Sequence, residues 1–386
     1  MELSASKIPR IEVVDALRGF AVMAIILVHN LEHFIFPVYP TEQPAWLAVL
    51  NDGVFNVIFS LFAGKAYAIF ALLFGFTFYI QCHNQTKKGK DFGYRFLWRL
   101  VLLLGFATLN AAFFPAGDVL LLFAVVGLVL FLVRKWSDKA ILITAIILLI
   151  QPIEWYHYIM SLLNPAHALP DLGVGAMYSE VAEYTKAGNF LDFIWGNITL
   201  GQKASLYFLQ TAGLFLVGLY IGRKELFVTS ETHLRFWVKV LIIAAICFAP
   251  LYSLKEQIMA SDNALIKQTV GTAFDMWQKF AFTFILVSSF VLLYQKECFR
   301  KAVSALRFYG KMSLTNYIAQ SIMGAIIYFP FGLYLAPYCG YTISLLIGFA
   351  LFLLQVSFCK WWLASHKQGP LESIWHKWTW MFSNNK

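Results

Sequence analysis

Charged residues are scarce in this chain. Asp, Glu, Lys and Arg make up 13% of its 386 residues, against 60% apolar residues and a mean hydropathy of +0.66. That scarcity excludes an ordinary soluble domain and points to a multi-helix membrane protein. The five cysteines, Cys82, Cys247, Cys298, Cys339 and Cys359, contain no CxxC pair. This excludes a zinc-ribbon pattern and a disulfide framework. Acidic residues are outnumbered, 21 to 30, for a net charge of +9. No soluble basic domain concentrates the surplus, so it reads as basic loops facing the cytoplasm and not as a nucleic-acid surface. A cleavage site is missing as well. Lys7 and Arg10 precede an apolar run, as in a signal peptide, but the run is long, holds Arg18 and lacks a small-residue cleavage motif, so an uncleaved helix is expected.

What the chain does have is a series of apolar runs, most near the roughly 20 residues that cross a bilayer. They fall at about 13–36, 54–81, 97–114, 119–133, 140–155, 204–221, 236–254, 273–294, 312–329 and 338–363. With both ends in the cytoplasm, four of the 30 Lys and Arg lie outside (Lys186, Lys203, Lys255, Lys267) and three lie in or at the edge of a span (Arg18, Lys65, Lys279). The remaining 23 are cytoplasmic, the bias that positive-inside predicts. The expected fold is all-α: a polytopic bundle of about 10 transmembrane helices, N-in and C-in, forming one membrane domain over 1–386. Five spans fall in 1–155 and five, with a cytoplasmic tail, in 203–386. The polar stretch 156–202 between them is punctuated by Pro165, Pro170, Gly173, Gly175 and Gly188. It reads as an extracytoplasmic loop with short interfacial helices, for example near 177–186. No internal repeat is visible, which disfavours the usual transporter architecture.

The first apolar run carries charge where charge is costly. At 100° per residue, Asp15, Arg18, His29 and His33 share one stripe of a helix, with Arg18 and His29 roughly 16 Å apart along the axis. Ionisable groups at membrane depth usually face a protein interior or a wet cavity. One reading is structural: Asp15 and Arg18 pair at the helix end, and His29 is a hydrogen-bonded buried imidazole. The other is functional: His29 as general base, Arg18 binding a phosphate or carboxylate, and Asp15 holding Arg18. His29 and His33 lie at i and i+4, but the only further ligand nearby, Glu32, sits on another face, so no metal is expected.

Other polar residues carry two readings each. Lys65, after Gly64, snorkels to an interface or faces the cavity as a second cation for an anionic ligand. Asp118 is a helix N-cap at an outer turn or lies on the substrate path. Asn316 and Gln320, at i and i+4, glue helices together or line that path. Glu372, in Gly-Pro-Leu-Glu, is a first-turn acid of an interfacial helix rich in Trp, or joins the path from the cytoplasmic side.

The run Asp15-Ala-Leu-Arg-Gly19, with His29 fourteen residues after Asp15, resembles the first helix of the transmembrane acyltransferase superfamily. That group includes acyltransferase family three and heparan-α-glucosaminide N-acetyltransferase. The resemblance implies an integral membrane acyltransferase. It would pass an acyl group from cytoplasmic acyl-CoA to an extracytoplasmic or lipid-linked acceptor, such as a glycan hydroxyl or amine, with His29 catalytic. A wider resemblance runs over nearly the whole chain, to the YeiB-like bacterial family, domain of unknown function 418. It rests on Gly64-Lys65 through Gly75, Gly117-Asp118, Gly310-Lys-Met-Ser-Leu-Thr-Asn316 through Gln320-Ser, and Gly369-Pro-Leu-Glu372. It implies a multi-pass protein of the bacterial inner membrane. Many members of that family carry Asn at the His29 position. Two rival functions use the same stripe: a transporter or flippase of a small or lipid-linked solute, and a non-catalytic scaffold or sensor.

Overall fold

Helix α1 (Glu12–Leu31) begins with Glu12 and Asp15 in its first turn, where carboxylates favour the helix dipole. Nearly every residue from Val13 to Leu31 is buried, so protein surrounds this helix on all sides, including its polar stripe. The computed structural model describes residues 10–35, 39–40, 42–114, 119–164, 167 and 208–381. After α1 come α2 (Ala45–Phe62), α3 (Lys65–Thr86), α4 (Gly93–Ala111), α5 (Val119–Val133), α6 (Asp138–Leu149) and α7 (Pro152–Leu163). They are followed by α8 (Phe208–Arg223), α9 (Glu231–Met259), α10 (Thr272–Leu293), α11 (Glu297–Ala302), α12 (Ser304–Lys311), α13 (Ser313–Tyr328), α14 (Tyr341–Ser365) and α15 (Pro370–Trp380).

The fold is all-α among the described residues, but the expectation of about ten transmembrane helices is corrected. Among the described residues, four helical stretches are long and apolar enough to cross a membrane: Ala45–Thr86, Glu231–Met259, Ala264–Leu293 and Tyr341–Ser365. A fifth is gained if α6 and α7, bent by 45° where they meet, form one span. Several of the remaining apolar runs are short as helices. At 1.5 Å per residue, the described lengths of α5 (15 residues), α8 (16) and α13 (16) are short of a hydrocarbon core of about 30 Å. The first run does not stay helical to residue 36: α1 ends at Leu31, and His33 lies in the following turn. The expected interfacial helix near 177–186 lies outside the described residues, whereas 152–163, at the start of the polar stretch, is helical.

Two glycine crossings set the frame. A Cβ on Gly19 would lie 2.0 Å from the Leu306 carbonyl oxygen, and one on Gly310 would lie 1.9 Å from that of Asp15. Helices α1 and α12 therefore touch backbone to backbone, as small residues permit between membrane helices. Gly75 and Gly218 do the same for α3 and α8. Helix α1 is thereby enclosed by α3, α12, α13 and α14, while α9 lies outside, burying only Trp237 and Ala244 of its 29 residues.

Candidate functional site

The polar stripe of α1 splits between two ends of the bundle. At one end Asp15 Oδ1 accepts from Arg18 Nη1 at 3.1 Å, and Arg10 also pairs with Asp15. Arg18 Nη2 donates to Thr77 Oγ1 on α3 at 3.0 Å. Arg99 of α4 lies over the Trp375 ring of α15, its guanidinium carbon 4.0 Å from the ring centroid, and the Trp375 indole N–H donates to the Arg99 carbonyl at 3.2 Å. Lys311, one residue past Gly310, completes the cationic cluster. Among the described residues no carboxylate forms an ion pair with Arg99 or Lys311.

These cations line the mouth of a cavity of about 340 Å³. Its outer wall holds Arg10, Arg18, Arg99, Lys311, Glu372 and His376, and its inner wall is apolar, with Phe70, Phe74, Leu103, Leu120 and Phe123. From Gln81 to Phe70 it follows α3 for roughly 16 Å by the helical rise. Tyr317 of α13 lines the cavity on one side and meets the His29 ring on the other, centroids 6.1 Å apart.

Beyond Tyr317 is a second polar cluster. Gln320 Nε2 lies 3.4 Å from His29 Nδ1, and both residues are buried. Gln320 Oε1 is buried with no hydrogen-bond partner among the described residues. The His29 ring packs on Phe114, at 4.4 Å, and against His33, at 5.0 Å. On the next residue of α13, Ser321 Oγ donates to Asn110 Oδ1 at 2.7 Å. The cavity, Tyr317, Gln320 and His29 thus form a sequence from the cationic end to the buried imidazole.

The other expected site residues divide. Glu372 lies on the cavity wall, but its carboxylate also caps a different helix. Oε1 accepts from the Leu314 and Thr315 N–H groups at 2.7 and 3.1 Å, and Oε2 from the Thr315 hydroxyl at 2.6 Å. Burial pushes its carboxyl up, and the bonds from Thr315 and Leu314 partly hold it down. Asn316 joins helices: its Nδ2 donates to the Tyr309 carbonyl and to Cys359 Sγ. Lys65 is away from the cavity wall. Its Nζ donates to the Ser60 carbonyl at 2.9 Å, at the break where Gly64 takes φ 75°. Asp118 lies outside the described residues. Among the described residues no three His, Cys, Asp or Glu side chains converge to hold a metal ion. Arg99, Lys311, Thr77, Tyr317 and Trp375 were not foreseen as site residues. Lys311 and Tyr317 lie in the Gly310–Gln320 motif, and Arg99 and Trp375 carried only the pairing of basic residues with Trp near helix ends, which reads equally well as a membrane interface.

Residues 221–382 match the family described as "Protein of unknown function (DUF418)". The chain is similar to "Uncharacterized protein YxaH" of Bacillus subtilis (strain 168), 27% identical over 400 residues, covering 96% of this chain and 94% of the relative. It is also similar to "Uncharacterized protein YeiB" of Escherichia coli (strain K12), 25% identical over 384 residues, covering 95% of each. No solved structure matches. The chain is a multi-pass helical membrane protein similar along its length to these bacterial proteins.

Proposed function

We propose that the protein is a membrane-embedded acyltransferase of the bacterial inner membrane. It would take its donor, an acyl-CoA, from the cytoplasm and pass the acyl group to an envelope glycan or lipid-linked acceptor. The observation that carries this reading is the cavity, which runs from a cluster of cations to a tyrosine in contact with His29. Guanidinium groups suit phosphate recognition, and here Arg18 is held in place by Asp15 and Thr77 while Arg99 rests on Trp375. With the donor's phosphates at Arg10, Arg18, Arg99 and Lys311, an extended pantetheine arm has about the length of the cavity. The thioester then arrives at Tyr317, whose ring turns aside to admit it to His29. His29 takes the proton of the acceptor hydroxyl or amine as the nucleophile attacks the thioester carbonyl, a role suited to a neutral imidazole.

The test uses purified protein in vesicles of phosphatidylethanolamine and phosphatidylglycerol. Acetyl-CoA should bind, and CoA should be released when envelope extract supplies an acceptor. His29→Ala should keep binding and lower release by about 10²–10⁴-fold. If wild-type protein neither binds acetyl-CoA nor releases CoA, the reading is wrong.

A further inference from the structure

The acyl-transfer reading leaves one need unmet. An attacked thioester carbonyl develops negative charge on oxygen, and a preorganised donor aimed at that oxygen is usually the largest single catalytic contribution. Neither Arg18 nor Lys65 is near His29 in the arrangement of the site: Arg18 is bonded at the cavity mouth, and Lys65 to Ser60.

Gln320 is the residue in the right place. One end of its amide meets His29 Nδ1 at 3.4 Å, and the other end is buried with no partner among the described residues. Buried polar groups are nearly always paired, and an unpaired one costs about 1–3 kcal/mol. An unpaired amide end beside a buried imidazole therefore calls for a partner that arrives with the substrate.

The orientation of the amide decides what it does. If the NH2 group donates to His29 Nδ1, the ring proton sits on Nε2. Both ring nitrogens are then engaged or protonated, and the imidazole has no lone pair for an acceptor. A half-turn of the amide, which exchanges two ends of nearly equal shape, reverses this. The carbonyl then accepts from Nδ1–H, Nε2 keeps its lone pair, and the unpartnered end becomes an N–H donor.

We propose that Gln320 works in this second orientation as a two-ended catalytic residue. Its carbonyl fixes the His29 proton on Nδ1, and its NH2 group donates to the thioester oxygen as charge develops there. This rests on the acyl-transfer reading. The step balances. The acceptor O–H or N–H gives its proton to His29 Nε2 while its O or N forms a bond to the acyl carbon. The tetrahedral intermediate then collapses, the C–S bond breaks, and the CoA thiolate leaves with the proton returned from His29. Ser321, next in sequence, bonds Asn110 and so anchors this part of α13 to α4.

The experiment reads the proton directly. ¹⁵N-histidine solid-state NMR on the full chain in phosphatidylethanolamine–phosphatidylglycerol vesicles, with His29 assigned by its loss in His29→Asn, should show the Nδ1–H form. Gln320→Glu can still accept from Nδ1–H but cannot donate. It should keep that form, keep KM for acetyl-CoA, and lower kcat by about 10²–10³-fold. Gln320→Leu should lose the Nδ1–H preference and lower kcat at least as far. An Nε2–H wild-type ring, or full turnover in Gln320→Glu, overturns the proposal. If the ring is Nδ1–H but wild-type protein turns over no acetyl-CoA, the acyl-transfer reading and the oxyanion role fall together while the proton placement by Gln320 stands. If wild-type turnover needs His29 but its proton is on Nε2, Gln320 falls and the acyl-transfer reading stands.

Discussion

Gly19 and Gly310 meet across α1 and α12 so closely that neither position has space for a methyl group. Each lies beside a cation of the cavity mouth, Arg18 and Lys311, so the contact that joins the helices also places the charges. Gly310→Ala should separate the two backbones, at a cost of about 1–3 kcal/mol for overpacking. A fall in thermal midpoint together with weaker acetyl-CoA binding is expected. An unchanged midpoint would show that the helices separate freely.

Arg99 should act through both its charge and its stack on Trp375. A charge-assisted hydrogen bond to phosphate is worth about 1.5–3 kcal/mol, so Arg99→Leu should weaken acetyl-CoA binding by roughly 10- to 100-fold. Arg99→Lys keeps the charge but loses the planar stack, and should fall between. Equal affinity in all three forms would remove Arg99 from the donor site.

Lys65 gives the opposite expectation. It sits at the break between α2 and α3, away from the cavity. Lys65→Met should leave acetyl-CoA affinity unchanged, as a titration in vesicles would show. A loss of affinity of about tenfold, some 1.4 kcal/mol, would return Lys65 to the donor site.

Glu372 should matter to assembly and respond to pH. Glu372→Ala uncaps α13 and should cost about 0.5–2 kcal/mol. Burial raises the carboxyl above its ordinary value in the folded chain. The folded state therefore holds this proton more tightly than the unfolded state. This group's contribution to stability falls as pH rises from the unfolded value through the raised folded one, and it recovers on acidification. Glu372→Gln, which does not titrate, should lose that part of the pH dependence. Parallel melting curves for wild type and Glu372→Gln from neutral to mildly acidic pH would contradict it.

The Asp15–Arg18 pair was legible because residues three apart on a helix must be neighbours, and the pairing follows from spacing alone. The placement of His29 deep in the protein was legible for the same reason. The count of spans was not, because an apolar run is only a candidate helix. The stretch Ala45–Thr86 turns at Gly64 and still counts once, the run 140–155 bends after Ile150, and α1 buries its apolar surface on other helices. The mouth was also hidden. Arg99 and Trp375 are 276 residues apart, and no local pattern announces that one will lie on the other. Glu372 was assigned to its own helix dipole because the Leu314 N–H it caps lies 58 residues earlier in the chain.

The helix crossing and the cap bear on how sequence similarity in this group should be understood. Gly19, Gly310 and Glu372 all lie in the short recurrent motifs, and all three act on the scaffold: two let helices touch, and one closes a helix end. A second chain could carry all three and still differ at His29 and Gln320, so the acyl-transfer proposal would extend to it only where those two side chains are present as well.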